Sequence, residues 1–279
     1  MKPVVYFPHQ QEKGILSMKK LIALVLCAVL GLGLLCGCSG SSSEGKLVLA
    51  TSADYPPFAF HMLDESGKDV IVGIDVSVAK KIAADMDLEL EIMDISFENL
   101  LTALDKGEAD MVIAAMEIDG EREGSADFSD AYYTDLPPMI LVKAADAEKF
   151  TSLDSFSGLT VGAQTGTTKE DVVTGQMPGA NLLSLSAVTD LVNNLVYNKC
   201  DAVVLDGAVA MQYAQTNPDL AICSVELGET VSYHVAVAEG DPKGLLEKIN
   251  ASIAQMVSDG SIDAFIAQAE ADSDSDLVG

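Results

Sequence analysis

Apolar residues along this chain recur in two periods that take turns. Lys46-Leu47-Val48-Leu49-Ala50 predicts a strand, Asp75 to Met86 predicts an amphipathic helix with Val76, Ala79, Ile82 and Ala83 on one face, and Leu88-Leu90-Ile92 returns to a period of two. Phe97 to Asp105 predicts a second short helix. Ala109 to Ala115 predicts the next strand, and its run Met111-Val112-Ile113-Ala114-Ala115 holds no charge, which is how a strand covered on both faces of an α/β sheet reads. The second half repeats this order. Leu159 to Gln164 predicts a strand, Thr165-Gly166-Thr167-Thr168 a turn, Lys169 to Thr174 the opening of a helix, Asp190 to Tyr197 a helix, and Ala202 to Leu205 a strand. Val231 to Ala238 predicts a strand, and Leu245 to Ala269 helices broken at Gly260. This alternation predicts an α/β class. The segments LTALDKGEADMVIAA and NNLVYNKCDAVVLDG share one order: helix, basic turn with Asp110 or Asp201, buried strand, then a charged loop. Two such half-units predict two lobes facing one cleft.

Upstream the pattern changes. Met18-Lys19-Lys20 precedes an apolar run from Leu21 to Leu35 that closes with Leu35-Cys36-Gly37-Cys38: a basic n-region, an h-region and a small-residue cleavage site. The run is about 15 residues, short of the roughly 20 that a membrane-spanning helix needs. It resembles a bacterial lipoprotein signal with its lipobox, which implies release of residues 1–37, lipid on Cys38, and a polar tether over 38–45. An uncleaved anchor helix and an ordinary secretory signal are the rival readings. Residues 1–17 read as an upstream extension. At the other end, residues 271–279 read as an acidic, frayed tail.

Charge and cysteine content narrow the classes. The chain has 16 Lys plus Arg against 43 Asp plus Glu, a net charge of −27, and loss of the leader makes it three units more negative. Such a surface does not attract nucleic acid or anionic lipid. Cys27, Cys36 and Cys38 belong to the leader, which leaves Cys200 and Cys223. An exported compartment permits a disulfide between them, but the spacing alone does not require one, and metal binding is disfavoured. No metal or cofactor is expected. The 242 residues after the leader suffice for two domains of ordinary size.

Candidate chemistry sits just beyond strand ends, where open α/β sheets bind ligands. Arg122 follows the apolar strand in ADMVIAAMEIDGEREG. It reads equally as a salt-bridge partner in an acidic chain or as a bidentate clamp for a carboxylate. Thr165-Gly166-Thr167-Thr168 lies at a strand-to-helix turn that favours an anion, although Thr167 and Thr168 also suit a helix cap. Asp206 follows its own buried strand and suits an ammonium, or a cap for the helix beginning at Gly207. Tyr55 and Phe58, on the Pro56-Pro57 turn, serve as walls for a ligand side chain or as core. A carboxylate clamp with an ammonium acceptor describes a zwitterion.

Six motifs in series, TSADYPPFAF, VGIDVSVAKKIA, FENLLTALDKGEADMVIAAM, GEREGSADFSDAYY, LTVGAQTGTT and CDAVVLDGAVA, resemble the family 3 extracellular solute-binding proteins of polar amino-acid ABC transporters. The likeness spans about Lys46 to Ala269. It implies a type II periplasmic-binding-protein (Venus flytrap) fold, with lobe one over residues 46–135 and 231–270, lobe two over 136–230, and a two-stranded hinge. It implies further that Arg122 clamps the ligand carboxylate with backbone around Thr165 and Thr168, and that Asp206 takes the ammonium. Tyr55 and Phe97 would flank the side chain, with Ala115 and Glu117 completing the site. The partners implied are an amino acid, a separate permease and ATPase, and the membrane through the lipid; the family default is a monomer, outside the cytoplasm.

Two departures bear on the ligand. Ser52 stands where binders of basic amino acids often carry Asp, and Glu117 stands where Ser or Thr is usual. A buried carboxylate needs a partner, so Glu117 disfavours an acidic ligand and a neutral polar or basic amino acid is expected. Two other classes compete. A cyclohexadienyl-dehydratase-like enzyme on the same fold would use Glu117 as general acid; a ligand-sensing subunit would need a partner to supply its output. No Gly-x-Ser-x-Gly or His-Glu-x-x-His occurs, and GSSSEGK at 40–46 precedes a strand instead of following one, so it reads as linker. The reading is a binding protein and not an enzyme.

Overall fold

The computed structural model describes residues 45–276, together with residues 1 and 3. The leader, Cys38 and residues 38–44 of the tether lie outside the described residues, as do residues 277–279.

Thirteen strands and seven α-helices are described. The strands are β1 (Lys46–Thr51), β2 (Asp54–Tyr55), β3 (Ala59–Leu63), β4 (Asp69–Val72), β5 (Glu89–Asp94), β6 (Met111–Val112), β7 (Ala126–Thr134), β8 (Met139–Lys143), β9 (Thr160–Gln164), β10 (Asn181–Leu185), β11 (Ala202–Leu205), β12 (Leu220–Ile222) and β13 (Ser232–Ala238). The helices are α1 (Ile74–Asp85), α2 (Leu100–Asp105), α3 (Thr168–Gln176), α4 (Val188–Val196), α5 (Gly207–Thr216), α6 (Leu246–Asp259) and α7 (Ser261–Asp276). One sheet runs β5-β1-β6-β13-β7 and a second β10-β9-β11-β8-β12, each with three parallel strands and two antiparallel ones. A small antiparallel sheet, β2-β3-β4, stands apart from both. The chain leaves the first sheet after β7 and comes back to it at β13, so two segments cross between the sheets.

Burial explains why these segments are strands. In β11 every residue is buried: Ala202 and Val204 join the core around Phe156 and Val161, while Val203 and Leu205 join the opposite face around Leu191 and Val209. In α1, Ile74, Val78, Ala79 and Ile82 pack on Leu47, Leu49, Met111 and Ile113. Gly73 opens that helix because nothing larger fits: its φ is 125°, and a Cβ there would lie 2.1 Å from the Phe58 carbonyl oxygen. That carbonyl instead accepts from Asp75 N at 2.9 Å, so the Pro-Pro turn caps α1 with backbone.

Three expectations change. The strand foreseen over Ala109 to Ala115 pairs only at Met111–Val112, because Ala115 turns at φ 45° and gives its N–H to Asp75 Oδ2 at 2.8 Å. Phe97 to Asp105 begins as a 3-10 turn, Phe97–Asn99, before α2. The acidic segment expected to fray from 271 is helical through Asp276, with Ser273 buried and Asp274 accepting from Gln212 Nε2 at 2.8 Å. Cys200 and Cys223 are free and buried in different cores, Cys200 beside Leu191 and Cys223 beside Ile140. Burial pushes the Cys200 thiol up to about 11, which leaves it unreactive. Among the described residues no helix is long and apolar enough to cross a membrane.

Asp135 ties the two crossings together. Its N–H donates to Val231 O at 2.8 Å; Oδ2 accepts from Tyr233 OH at 2.7 Å, and Oδ1 from Leu136 N at 2.7 Å and Ala208 N at 3.1 Å. One carboxylate therefore spans both crossings and caps α5. Gly207 lets the first crossing approach, since a Cβ there would lie 2.6 Å from Leu136 Cβ. Phe58, Tyr133 and Tyr233 pack beside this point, with Tyr133 and Tyr233 stacked at 5.7 Å and Phe58 edge-on to both.

Asp75 is wholly buried and accepts from Tyr132 OH at 2.6 Å as well as from Ala115 N. Burial raises its carboxyl from 3.8 to about 6, against the lowering effect of both donors. The folded chain thus holds this proton over a window where the unfolded chain has lost it. The stability the group contributes is fully present below pH 3.8 and is lost as pH rises through about 6, about 3 kcal/mol in all at 1.36 kcal/mol per unit. Urea unfolding from pH 4 to 7 is expected to show that decline in the wild type relative to Asp75→Asn; parallel curves would rule it out.

Candidate functional site

Charged side chains from both sheets meet in one small cavity. From the first sheet come Tyr55 after β1, Ala115 and Glu117 after β6, Arg122 in a 3-10 turn (Arg122–Gly124), and Phe97. From the second come Gln164 at the end of β9, Thr167, Lys169 in the first turn of α3, and Asp206 at the end of β11. The free volume left among them is about 20 Å³, which is room for about one water. A larger groove of about 730 Å³ runs past His61, Asp69 and Asp94, and none of these four charged groups lines it.

Arg122 is 7% exposed and its fork is partly committed. Nε pairs with Asp119 Oδ2 at 3.1 Å, Nη1 donates to Glu117 O at 2.8 Å, and Nη2 donates to Gly166 O of the other lobe at 3.1 Å. Its guanidinium carbon lies 5.3 Å from the Phe97 ring centroid. Three of the five N–H groups of a guanidinium are used in this way, which leaves one on each terminal nitrogen. Both readings of Arg122 thus hold in part: it is salt-bridged to Asp119, and it lines the cavity.

Asp206 does not cap α5, since Asp135 takes the Ala208 N–H there. Its carboxylate turns into the cavity. Oδ2 accepts from Tyr55 OH at 2.5 Å, and Oδ1 lies 2.5 Å from Lys169 Nζ. That ion pair lacks hydrogen-bond geometry, so the buried Oδ1 has no hydrogen-bond partner among the described residues.

Lys169 is the residue that the sequence analysis passed over. Its side chain is 6% exposed, and its ammonium reaches Glu117 Oε1 at 2.7 Å and Thr168 Oγ1 at 3.3 Å besides Asp206. A signal was present: a lysine in the first turn of a helix faces the positive end of the dipole, so it needs anions from elsewhere in the fold. Burial would lower the Lys169 pKa, but Asp206 and Glu117 outweigh it and hold the amine above its usual value. Glu117 is the converse case. Burial would raise its carboxyl, but the charge and hydrogen bond of Lys169, with Thr168 and Arg122, hold it below its usual value. A general acid at neutral pH needs the opposite shift, so the enzymatic role foreseen for Glu117 is corrected.

The two threonines part company with the expected site. Thr165 Oγ1 lies 2.7 Å from Ser184 Oγ and does not line the cavity. Thr168 donates to Glu117 and does not line it either, whereas Thr167, at the N-cap of α3, does. Thr167 Oγ1 donates to Gln164 O at 2.8 Å and makes no side-chain cap. Three more contacts close the cleft at its edge: Asp54 accepts from Val188 N at 2.6 Å and from Gln164 Nε2 at 3.4 Å, and Glu98 accepts from Ser186 Oγ at 2.7 Å. Ser52, noted as a departure, lines the cavity and donates to Asp54 at 2.7 Å. Among the described residues no group of three or more His, Cys, Asp or Glu could hold a metal ion.

Comparison with known proteins places this geometry. The profile of the family described as "Bacterial extracellular solute-binding proteins, family 3" matches residues 47–269. The arginine-binding extracellular protein ArtP of Bacillus subtilis (strain 168) is 32% identical over 252 residues, covering 88% of this chain and 96% of that protein. The ABC transporter glutamine-binding protein GlnH of the same organism is 26% identical over 264 residues, 88% of this chain and 95% of that one. Among solved structures, the amino acid ABC transporter substrate-binding protein AbpA from Streptococcus pneumoniae Canada MDR_19A, bound to L-arginine, superposes with a TM-score of 0.79 at 33% identity. It covers 83% of this chain and 97% of that one.

The Tyr55 hydroxyl is the hydrogen bond that holds Asp206 from the facing lobe. Tyr55→Phe leaves a buried carboxylate with one donor fewer, and a loss of about 1.5–3 kcal/mol is expected for a bond to a charged group. Urea denaturation at pH 7 checks this; an unchanged midpoint would show that the bond contributes nothing.

Proposed function

The chain belongs to the bacterial extracellular solute-binding proteins of family 3, and from that membership and the charges in its cleft we propose that it captures an amino acid between two lobes and delivers it to an ABC transporter. Its two α/β sheets joined by two crossings are the type II periplasmic-binding-protein, or Venus flytrap, architecture. The observation that carries the ligand assignment is the convergence of Arg122 and Asp206, from different sheets, on one closed cavity. The free N–H groups of Arg122 suit an α-carboxylate, and the unpartnered Oδ1 of Asp206 suits an α-ammonium. Tyr55 and Phe97 flank the space between, and the start of α3 adds positive potential beside the carboxylate.

In this reading lobe one comprises residues 46–135 and 231–270 and lobe two 136–230, and they hinge where Asp135 bonds Val231. Ligand release separates the lobes, and ligand contacts made only in the closed state favour closure. The relatives' names give arginine for one and glutamine for another, so membership leaves the side chain open. The mature protein acts as a monomer outside the cytoplasm, held to the membrane by acyl chains on Cys38, where several chains anchor stably and one does not.

Two measurements test this reading. Calorimetric titration of the full chain, stripped of carried ligand by unfolding and refolding, is expected to show one-to-one binding of at least one of the twenty amino acids. Arg122→Ala and Asp206→Ala should each weaken it by about 100-fold, since each strands a buried charge. Binding of none, or binding indifferent to both substitutions, overturns the assignment. Separately, cells grown with labelled palmitate should incorporate label into the wild type and not into Cys38→Ser; equal labelling would dismiss the anchor.

A further inference from the structure

The charge balance of the cleft narrows the ligand's side chain, a step that rests on the amino-acid reading above. Four charged groups line the cavity: Arg122 and Lys169, Glu117 and Asp206. Their charges cancel. With about 20 Å³ free, the stem and ammonium of Lys169 occupy the space into which a ligand must come. The ammonium reaches three oxygens, of Glu117, Asp206 and Thr168, but its contact with Asp206 lacks hydrogen-bond geometry. An ammonium has three donors and no other capacity, so the weak partner is the one a ligand can take over.

We propose that Lys169 is the specificity-determining residue of this site, the protein's own cation on Glu117, and that it selects amino acids with uncharged side chains. An entering zwitterion gives its carboxylate to Arg122 and its ammonium to Asp206 Oδ1. Lys169 withdraws from Asp206 and keeps Glu117, 2.7 Å away. Every charge then has one partner, and none remains for a side chain. A cationic side chain must compete for Glu117 with an ammonium tethered next to it, and the loser is left charged and unpaired inside a closed cavity. An acidic side chain draws Lys169 away and strands Glu117 in the same way. Glu117 by itself pointed to a neutral polar or basic ligand; with Lys169 against it, the basic class falls away, although two proteins similar to this chain carry arginine in their names.

The test is calorimetric titration of the full chain with glutamine, arginine and glutamate, then the remaining amino acids, for the wild type, Lys169→Met and Lys169→Met/Glu117→Gln. Methionine keeps the stem and removes the charge. The wild type is expected to bind at least one uncharged amino acid tenfold or more tighter than arginine. Lys169→Met frees Glu117, so the ratio of arginine to uncharged affinity should rise at least tenfold. The double variant has no freed carboxylate, so its ratio should stay within threefold of the wild type's, and it serves where the single variant does not fold. The proposal is overturned if the wild type prefers arginine, if Lys169→Met leaves the ratio unchanged, or if the double variant gains arginine affinity. Absence of any amino-acid binding by the wild type sinks the function assigned above and this proposal with it, a result distinct from binding with the wrong preference.

Discussion

A lysine ammonium held between two carboxylates is the constraint around which the cleft is built. Glu117 comes from the first sheet, Asp206 and Lys169 from the second, and all three are largely withdrawn from water. Charges in that position are tolerated only when paired and hydrogen-bonded, because desolvation alone costs several kcal/mol per ion. None of the three can therefore be considered alone. The pairing also fixes protonation: the lysine stays charged because of the carboxylates, and Glu117 stays ionised because of the lysine. A site whose charges are locked in this way is built to hold a ligand by complementary charge and not to move protons.

That arrangement depends on another carboxylate farther back. Asp206 stands at the N-cap position of α5, where an aspartate ordinarily spends its oxygens on the helix. It is spared because Asp135, on the crossing between the lobes, accepts the Ala208 N–H in its place. The same Asp135 takes Tyr233 OH and donates its own N–H to Val231, so the residue that frees the binding carboxylate also fastens the two crossings. Rotation at this point changes the distance between Glu117 and Lys169 while leaving Lys169 and Asp206 together on one lobe. The first contacts to break on opening are thus those between lobes, including Tyr55 with Asp206 and Asp54 with the start of α4.

How much of this could be read from the residues divides along physical lines. Strands covered on both faces announce themselves, and Ala202–Leu205 was legible to the residue because nothing polar interrupts it. Helices with one apolar face, such as α1, were legible within a residue at each end. β7 was not: its pattern ADFSDAYYT mixes buried and half-exposed positions without a clean alternation, and its partner β13 shifts register twice. The small sheet β2-β3-β4 was missed because strands of two to five residues carry too few positions to show a period. In the site, Arg122, Asp206 and Tyr55 were legible from their place after buried strands. Lys169 was not, since a lysine in an acidic chain reads as solvated until the fold brings two carboxylates to it. Thr165 was misplaced for a related reason. Of adjacent hydroxyls in a turn, the backbone decides which points inward, and here it sends Thr165 to Ser184 and Thr167 to the cavity.

The neutral balance of the cleft contrasts with the surface around it, where the chain carries a net charge of −27. Exposed charges act through water and are screened within roughly 8 Å at physiological salt, whereas a closed cavity is screened little. The two fields therefore act at different stages. The acidic surface governs encounter, drawing cations near and holding anions off, and its influence falls with ionic strength. The cavity governs retention, through partners a few ångströms apart whose contacts are made only after the lobes have closed. A protein this acidic would select cations if bulk charge decided the outcome. Lys169 separates the two stages, because it brings to Glu117 a positive charge that the surface potential cannot replace.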